Sequence, residues 1–285
     1  MSLRQALKEA KHILAANDIR DAALESELLL RHLLGISRVQ LYLDLDDPLV
    51  REQGEAYRRL IERRTAGQPS AYITGRREFY GLEFTVDSRV LIPRPESELL
   101  VEEAIRLAGG LDAAPIIADI GTGSGAIAIC LAIKLPQAII YASDISAAAL
   151  EVAAANCRRH GVAGRIRLLS GDLLTPLPQP VDIIVANLPY VGRAEATANG
   201  FEPSLALDGG LGGSEEIERL CRQVAGKLRP GGVLLLEIGQ GQQQKITDIV
   251  KRLLPGSVVE VTPDLAGIPR VVSAILPAVH TAPCG

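Results

Sequence analysis

Apolar positions in the first 66 residues recur with a helical period. Leu3, Ala6, Leu7, Ala10, Ile13 and Leu14 fall on one face, and Ser2 with Gln5 forms a capping-box pattern ahead of them. A second helix is predicted over 21–34, ending at Gly35, and a third from an Asp47-Pro48 cap to Gly67. Together they predict a small α-helical bundle over 1–67. The pattern changes over 68–95, where aromatic and β-branched residues alternate with polar ones around Gly75 and Gly81. That predicts a β-hairpin linker, stiffened by Pro93 and Pro95 on its way to a helix near 96–108. From 116 onward short apolar runs alternate with amphipathic stretches. The predicted strands are 116–120, 138–143, 166–169, 181–186, 233–238, 257–261 and 270–276. Between them, Ser146 to His160 places Leu150, Ala153, Ala154 and Cys157 on one face. Another predicted helix has Ser214 as its cap, Glu215 and Glu216 in its first turn, and Lys227 and Arg229 in its last. The fold class is therefore α/β: a doubly wound, mostly parallel seven-stranded sheet over 96–285, preceded by the helical bundle and the hairpin.

Composition narrows the function classes. The chain has 285 residues, 47 % of them apolar, yet no apolar run approaches the roughly eighteen residues of a membrane span. The N-terminus lacks a signal-peptide core. Cys130, Cys157, Cys221 and Cys284 show no C-x-x-C pairing, and the four histidines are scattered, so no metal and no disulfide framework is expected. A cytoplasmic, monomeric protein is expected. Net charge is −4, and residues 1–80 carry 13 Lys+Arg against 12 Asp+Glu, leaving the remainder acidic. That is a poor footprint for nucleic acid, although Arg58, Arg59, Arg63, Arg64, Arg76 and Arg77 form a local basic cluster.

The chemistry starts at Ile116–Gly125, IIADIGTGSG. A strand that stops in a glycine-rich turn and restarts as a helix builds an anion- or nucleotide-binding corner, because glycine admits positive φ and close backbone approach. Gly121, Thr122, Gly123, Ser124 and Gly125 form G-x-G-x-G rather than G-x-G-x-x-G, and no P-loop Lys follows. Asp119 before them disfavours a pyrophosphate and suits a positively charged ligand group, such as the amino group of S-adenosylmethionine. A plain tight turn would use the same glycines.

Ligands of doubly wound sheets sit at the carboxyl ends of strands. After the second predicted strand, Asp144 stands about 20 residues past the glycines, where an acidic residue accepts from ribose hydroxyls. After the third, Asp172 offers an acceptor for an adenine amino group and Leu173 a cover for the ring; a simple turn is the alternative for Asp172. After the fourth come Asn187, Leu188, Pro189 and Tyr190. A primary amide or aromatic amine is a poor nucleophile because its lone pair is delocalised. Accepting its two N–H hydrogens, on the Asn187 side-chain oxygen and the Leu188 carbonyl, fixes the planar group with its π face toward an electrophilic methyl. Tyr190 suits stacking on that group.

The tetrapeptide resembles the Asn-Pro-Pro-Tyr signature of amino methyltransferases acting on adenine, cytosine or glutamine. QPSAYITG, EFYGLEF, VLIPRPESE, DIGTGSGAIAI, ASDIS and DLAGIPRVV further resemble the HemK/PrmC family of release-factor glutamine methyltransferases, over nearly the whole chain. The resemblance implies methyl transfer from S-adenosylmethionine to N5 of the glutamine in the Gly-Gly-Gln motif of bacterial class I peptide chain release factors. It implies a substrate-recognition role for residues 1–67. It assigns Gly121 to Gly125 to the methionine end of the cofactor, Asp144 to its ribose, Asp172 and Leu173 to adenine, and Asn187 to Tyr190 to the substrate glutamine. Two positions depart from the family pattern: Leu188 replaces a proline, and Leu173 stands where some members carry an aromatic ring. The rival readings are a glutamine methyltransferase of a large-subunit ribosomal protein, an adenine-specific DNA methyltransferase and a non-catalytic binding module.

Overall fold

The computed structural model describes residues 1–111, 114–196 and 200–278. They form two compact units, Met1–Arg76 and a second that begins at Arg77.

The first unit is a bundle of α1 (Leu3–Ala16), α2 (Ala22–Leu34), α3 (Arg38–Leu43), α4 (Arg51–Thr65) and α5 (Ser70–Thr74). Its core joins Leu3, Ala6, Ala10 and Leu14 to Leu29, Leu30, Tyr57, Ile61 and Ile73. The predicted capping box is present on both sides, Ser2 with Gln5, and Gly35 closes α2 at φ +67°. Asp47-Pro48 does not open a helix. Pro48 bridges to Ser2, and Leu3 and Leu49 exchange backbone bonds with Asp47 and Met1, so that stretch is committed to extended pairing and α4 starts only at Arg51. The short α3, capped by Ser37 on the Gln40 N–H, was not legible in the apolar pattern. The range 68–95 is not one linker. Its first part is α5, within the helical unit, so that unit extends past residue 67. Within the basic cluster, Arg64 pairs with Glu25 at 3.1 Å and Arg63 donates to Gln68 at 2.9 Å.

The hairpin β1 (Arg76–Phe79) and β2 (Leu82–Thr85) starts at the unit boundary and opens the second unit, then a 3₁₀ turn at Pro95–Ser97 leads into α6 (Glu98–Ala108). Alternation follows: β3 (Ile116–Ile120), α7 (Ala126–Lys134), β4 (Ile139–Asp144), α8 (Ala147–Arg159), β5 (Ile166–Ser170), β6 (Val181–Ala186), α9 (Arg193–Ala196), α10 (Glu215–Gln223), β7 (Leu228–Glu237), α11 (Gln243–Leu253), β8 (Val258–Pro263) and β9 (Pro269–Ile275). Among the described residues the main sheet has seven strands in the order β5-β4-β3-β6-β7-β9-β8, parallel except for β9. Every residue of β3 is buried, as a central strand covered on both faces requires. Alternate side chains divide it: Ile117 faces a core with α6, α7 and the hairpin phenylalanines, and Ile116, Ala118 and Ile120 face one with α10 and α11. Cys130, Cys157 and Cys221 are buried core residues; Cys284 lies outside the described residues.

Two details differ from the sequence reading. Ser214 sits at the N-cap of α10 without capping; the carboxylate of Glu215 instead accepts from Gly212 and Ser214 N–H at 2.8 and 2.9 Å. That helix ends at Gln223, so Lys227 lies beyond it and Arg229 is already in β7. β7 begins five residues early because Leu228 pairs with Val181 before a register shift; Pro230-Gly231-Gly232 is a bulged entry, not a turn.

The hairpin is fixed to α8. Asn156 is fully buried; its Oδ1 accepts from the Thr85 N–H at 2.8 Å, and its Nδ2 donates to the carbonyls of Thr85 (3.0 Å) and Ser124 (2.9 Å). One side chain therefore joins hairpin, helix and glycine loop.

Candidate active site

The chain direction of sheet growth reverses between β3 and β6, and the predicted residues gather at the carboxyl ends of those strands. Gly121, Gly123 and Gly125 adopt φ of +72°, +54° and +81°, which explains why L side chains are absent there. The N–H groups of Gly121 and Thr122 both donate to the Ser143 carbonyl at 2.9 Å, closing the loop onto β4. Gly125 serves packing: an added Cβ would lie 3.2 Å from Ala153 and Ile129.

Asp119 is 1 % exposed and lies beneath the loop. Its Oδ2 accepts the Thr122 hydroxyl at 2.6 Å and the Ala128 N–H at 3.1 Å, tying the loop to the start of α7. Burial pushes its pKa up to about 6, against the pull of those two bonds. The structure thus sets this carboxylate inside the fold, outside the cleft wall where the sequence reading puts it.

Asp144 does line the cleft. Its two oxygens accept from Gly123 N–H and Ser146 N–H, both at 2.9 Å, and each keeps a second lone pair for a ligand hydroxyl. Burial raises its pKa and these backbone bonds lower it. Opposite, Asp172 is held by Arg219 at 2.6 Å, which also pairs with Glu216 at 2.6 Å. Leu173 is buried at φ +49°, and its carbonyl accepts the Ser143 hydroxyl at 3.1 Å.

Asn187 to Tyr190 form the wall between two cavities. One, of about 990 Å³ including open solvent, is lined by Gly121, Gly123, Asp144, Asp172, Leu173 and Arg219 among others. The second is lined by Arg94, Tyr190, Val191, Glu195 and Leu207. Asn187, Leu188 and Pro189 border both. A third, smaller recess beside the loop is lined by Thr122, Ser124, Arg94 and Ser97. Asn187 Nδ2 donates to Ser97 Oγ at 2.8 Å, which turns its Oδ1 away from Ser97. Leu188 is buried, its Cδ2 3.2 Å from where a Cβ on Gly121 would be. The Tyr190 hydroxyl donates to Glu237 at 3.3 Å, and its carbonyl accepts from Gln242 Nε2 at 3.0 Å. Burial raises the Tyr190 pKa further than the neighbouring Glu237 charge does.

Sequence reasoning missed several neighbours. Gly209 and Gly213 crowd the tetrapeptide: a Cβ would come within 2.6 Å of the Pro189 carbonyl oxygen and 2.4 Å of that of Tyr190. Their signal was the glycine density of 209–213. Ser97 was visible inside PRPESE, and Glu237 as one carboxylate ending an apolar strand. Arg219 gave no signal among other helix arginines.

A parallel sheet closed by an antiparallel strand, with a glycine corner after its central strand and acidic residues after the next two, defines a Rossmann-like methyltransferase. Residues 97–202 match the methyltransferase small domain, and residues 5–75 match the PrmC N-terminal domain. The solved structure of a methyltransferase from Pyrococcus furiosus shares the fold over 70 % of this chain and 90 % of its own, with a TM-score of 0.51 at 18 % identity. The release factor glutamine methyltransferase of Moorella thermoacetica is 43 % identical, covering 95 % of this chain and 97 % of its own. That of Chlorobaculum tepidum is 44 % identical over 83 % and 85 %. The chain belongs to the release factor glutamine methyltransferase family.

Proposed function

We propose that the chain methylates the side-chain amide nitrogen (N5) of the glutamine in the Gly-Gly-Gln motif of bacterial class I peptide chain release factors. The observation that carries this reading is the Asn187 amide, anchored through Nδ2 on Ser97 between two adjoining cavities.

The residues present fit S-adenosylmethionine, which supplies an electrophilic methyl group when bound. Gly121 and Gly123 leave backbone exposed at its amino-acid end, Asp144 keeps free lone pairs for its ribose, and Leu173 offers an apolar cover for adenine. Thr122 and Ser124 complete the loop. Asp119 acts through them, by holding Thr122. Asp172 has Arg219 as a partner, so its acceptor capacity toward adenine is shared.

On the substrate side, Asn187 Oδ1 and the Leu188 carbonyl accept the two N–H hydrogens of the glutamine amide. Those bonds fix its plane and present its π face to the methyl donor. Tyr190 walls the second cavity and excludes water. The methylated nitrogen is strongly acidic and sheds its proton without a dedicated base. Leucine at 188 keeps the carbonyl that proline would offer, and its side chain packs on Gly121. The helical unit takes the recognition role; Val39, Tyr42 and Leu43 of α3 are each half or more exposed there. No helix among the described residues is long and apolar enough to cross a membrane.

The test is transfer of label from S-adenosylmethionine, offering a release factor, a large-subunit ribosomal protein and unmethylated DNA side by side. Label on the release factor, abolished by Gln→Ala in its Gly-Gly-Gln motif, supports the proposal. Label on the ribosomal protein or DNA instead overturns the substrate.

A further inference from the structure

Two sequence motifs hold residues that the chemistry above leaves unused: PRPESE before α6, of which only Ser97 has a part there, and DLAGIPRVV at β9. Both converge on Glu237, the last residue of β7, 1 % exposed and directly behind the tetrapeptide. Tyr190 reaches it from the loop after β6, Ser97 and Glu96 from the turn before α6, and Arg270 from β9. Arg270 is itself held by Asp264 at 3.0 Å, and Arg94 acts on the Tyr190 side. Glu237 Oε1 accepts the Tyr190 hydroxyl at 3.3 Å. Oε2 is buried without a hydrogen bond of full geometry among the described residues, while Ser97 lies close enough to stabilise the charged form.

The proximity of Ser97 to the Glu237 carboxylate limits the order of donors. A carboxylate only accepts, and a serine hydroxyl has one hydrogen to give. With that hydrogen turned to Glu237, Ser97 Oγ can only accept on its other side. That is the sense observed, since Asn187 Nδ2 donates to it at 2.8 Å. The amide oxygen of Asn187 is thereby the atom left for the substrate. A protonated Glu237 removes that constraint: it can donate to Ser97, which frees the serine hydrogen to turn to Asn187, and the amide is then able to turn its NH₂ toward a substrate that also presents N–H groups.

We propose that Glu237 is a positioning residue whose carboxylate, acting through the Ser97 hydroxyl, sets the flip of the Asn187 amide and, through the Tyr190 hydroxyl, the other end of the same tetrapeptide. This rests on the reading of Asn187 as acceptor of the glutamine amide. Burial, opposed by Ser97 and Tyr190, pushes the Glu237 pKa up to about 7, so the switch falls where the enzyme can be assayed. The deprotonated form is the competent one, and turnover falls as pH is lowered through about 7.

The experiment measures kcat against pH from 6 to 8.5 with a release factor, together with S-adenosylmethionine affinity by calorimetry, for wild type, Glu237→Gln, Ser97→Ala and the double variant. Expected are an acidic limb in wild type that Glu237→Gln abolishes, a kcat lowered about 10- to 100-fold at pH 8 in each single variant, and unchanged cofactor affinity. The double variant should be no slower than the worse single one, because both act through one amide. Ser97→Ala keeps the test alive if Glu237→Gln fails to fold. Wild type that labels no release factor sinks the substrate reading, and this proposal with it. Active wild type with Glu237→Gln matching it across the pH range, or single-variant losses that multiply in the double, overturns the proposal alone.

Discussion

Asn187 holds its place through one donor bond to Ser97, yet the proposed transfer asks for its oxygen. Asn187→Ala should therefore cut kcat on the order of 100-fold or more, with S-adenosylmethionine affinity within about twofold of wild type; calorimetry beside single-turnover transfer decides it, and equal losses in both would make Asn187 structural. Leu188 gives a second check. Leu188→Pro keeps the carbonyl but removes the side chain packed at Gly121, so we expect kcat within a few-fold of wild type and a lower melting temperature. That the candidate residues would sit at the carboxyl ends of the strands was legible because their spacing after each strand is set by the sheet. What the sequence hid was direction. Asp119 reads like a ligand contact, and only the fold turns it inward onto Thr122 and Ala128. Ser97 and Asn187, 90 positions apart, meet only through the fold, and the Asp172–Arg219 pair spans 47.

Strands and long helices were readable from periodicity, since β3 and β6 are apolar runs and α1 and α8 carry one clear apolar face. Errors fell where backbone pairing overrode local residue preference. Asp47-Pro48 has the chemistry of a helix start but is used in an extended bridge, and Pro230-Gly231-Gly232 has the chemistry of a turn but enters β7. Helices as short as α3 and α5 present too few periodic positions to stand out. The glycine corner itself makes a sharp demand. Gly125→Ala needs φ near +81° from an L residue and sets a Cβ 3.2 Å from Ala153 and Ile129. We expect a loss of about 1–3 kcal/mol in chemical denaturation, with weakened cofactor binding because the loop must shift. A variant as stable as wild type would mean that α8 yields easily.

At the scale of the whole molecule, the proposed function assigns different work to the two units. Deleting residues 1–75 should leave S-adenosylmethionine binding intact and raise KM for the release factor; an unchanged KM would remove recognition from the helical unit. Two buried carboxylates shape stability as well. Asp119 and Glu237 are pushed up to about 6 and about 7, from the usual 3.8 and 4.5. Between those limits the folded chain binds more protons than the unfolded chain, so stability falls as pH rises from about 4 to 7. Thermal melts should show that decline, and Glu237→Gln should lessen it, melting no lower than wild type at pH 8. A two-stranded hairpin such as β1–β2 is marginal alone and ought to fray. Because Asn156 grips both backbone groups of Thr85 from within α8, the Thr85 amide cannot swap its hydrogen for deuterium by fraying of the hairpin alone. In heavy water its exchange should be slow enough to report the opening of the methyltransferase unit as a whole, a clock for the entire sheet read at one small ribbon on its flank.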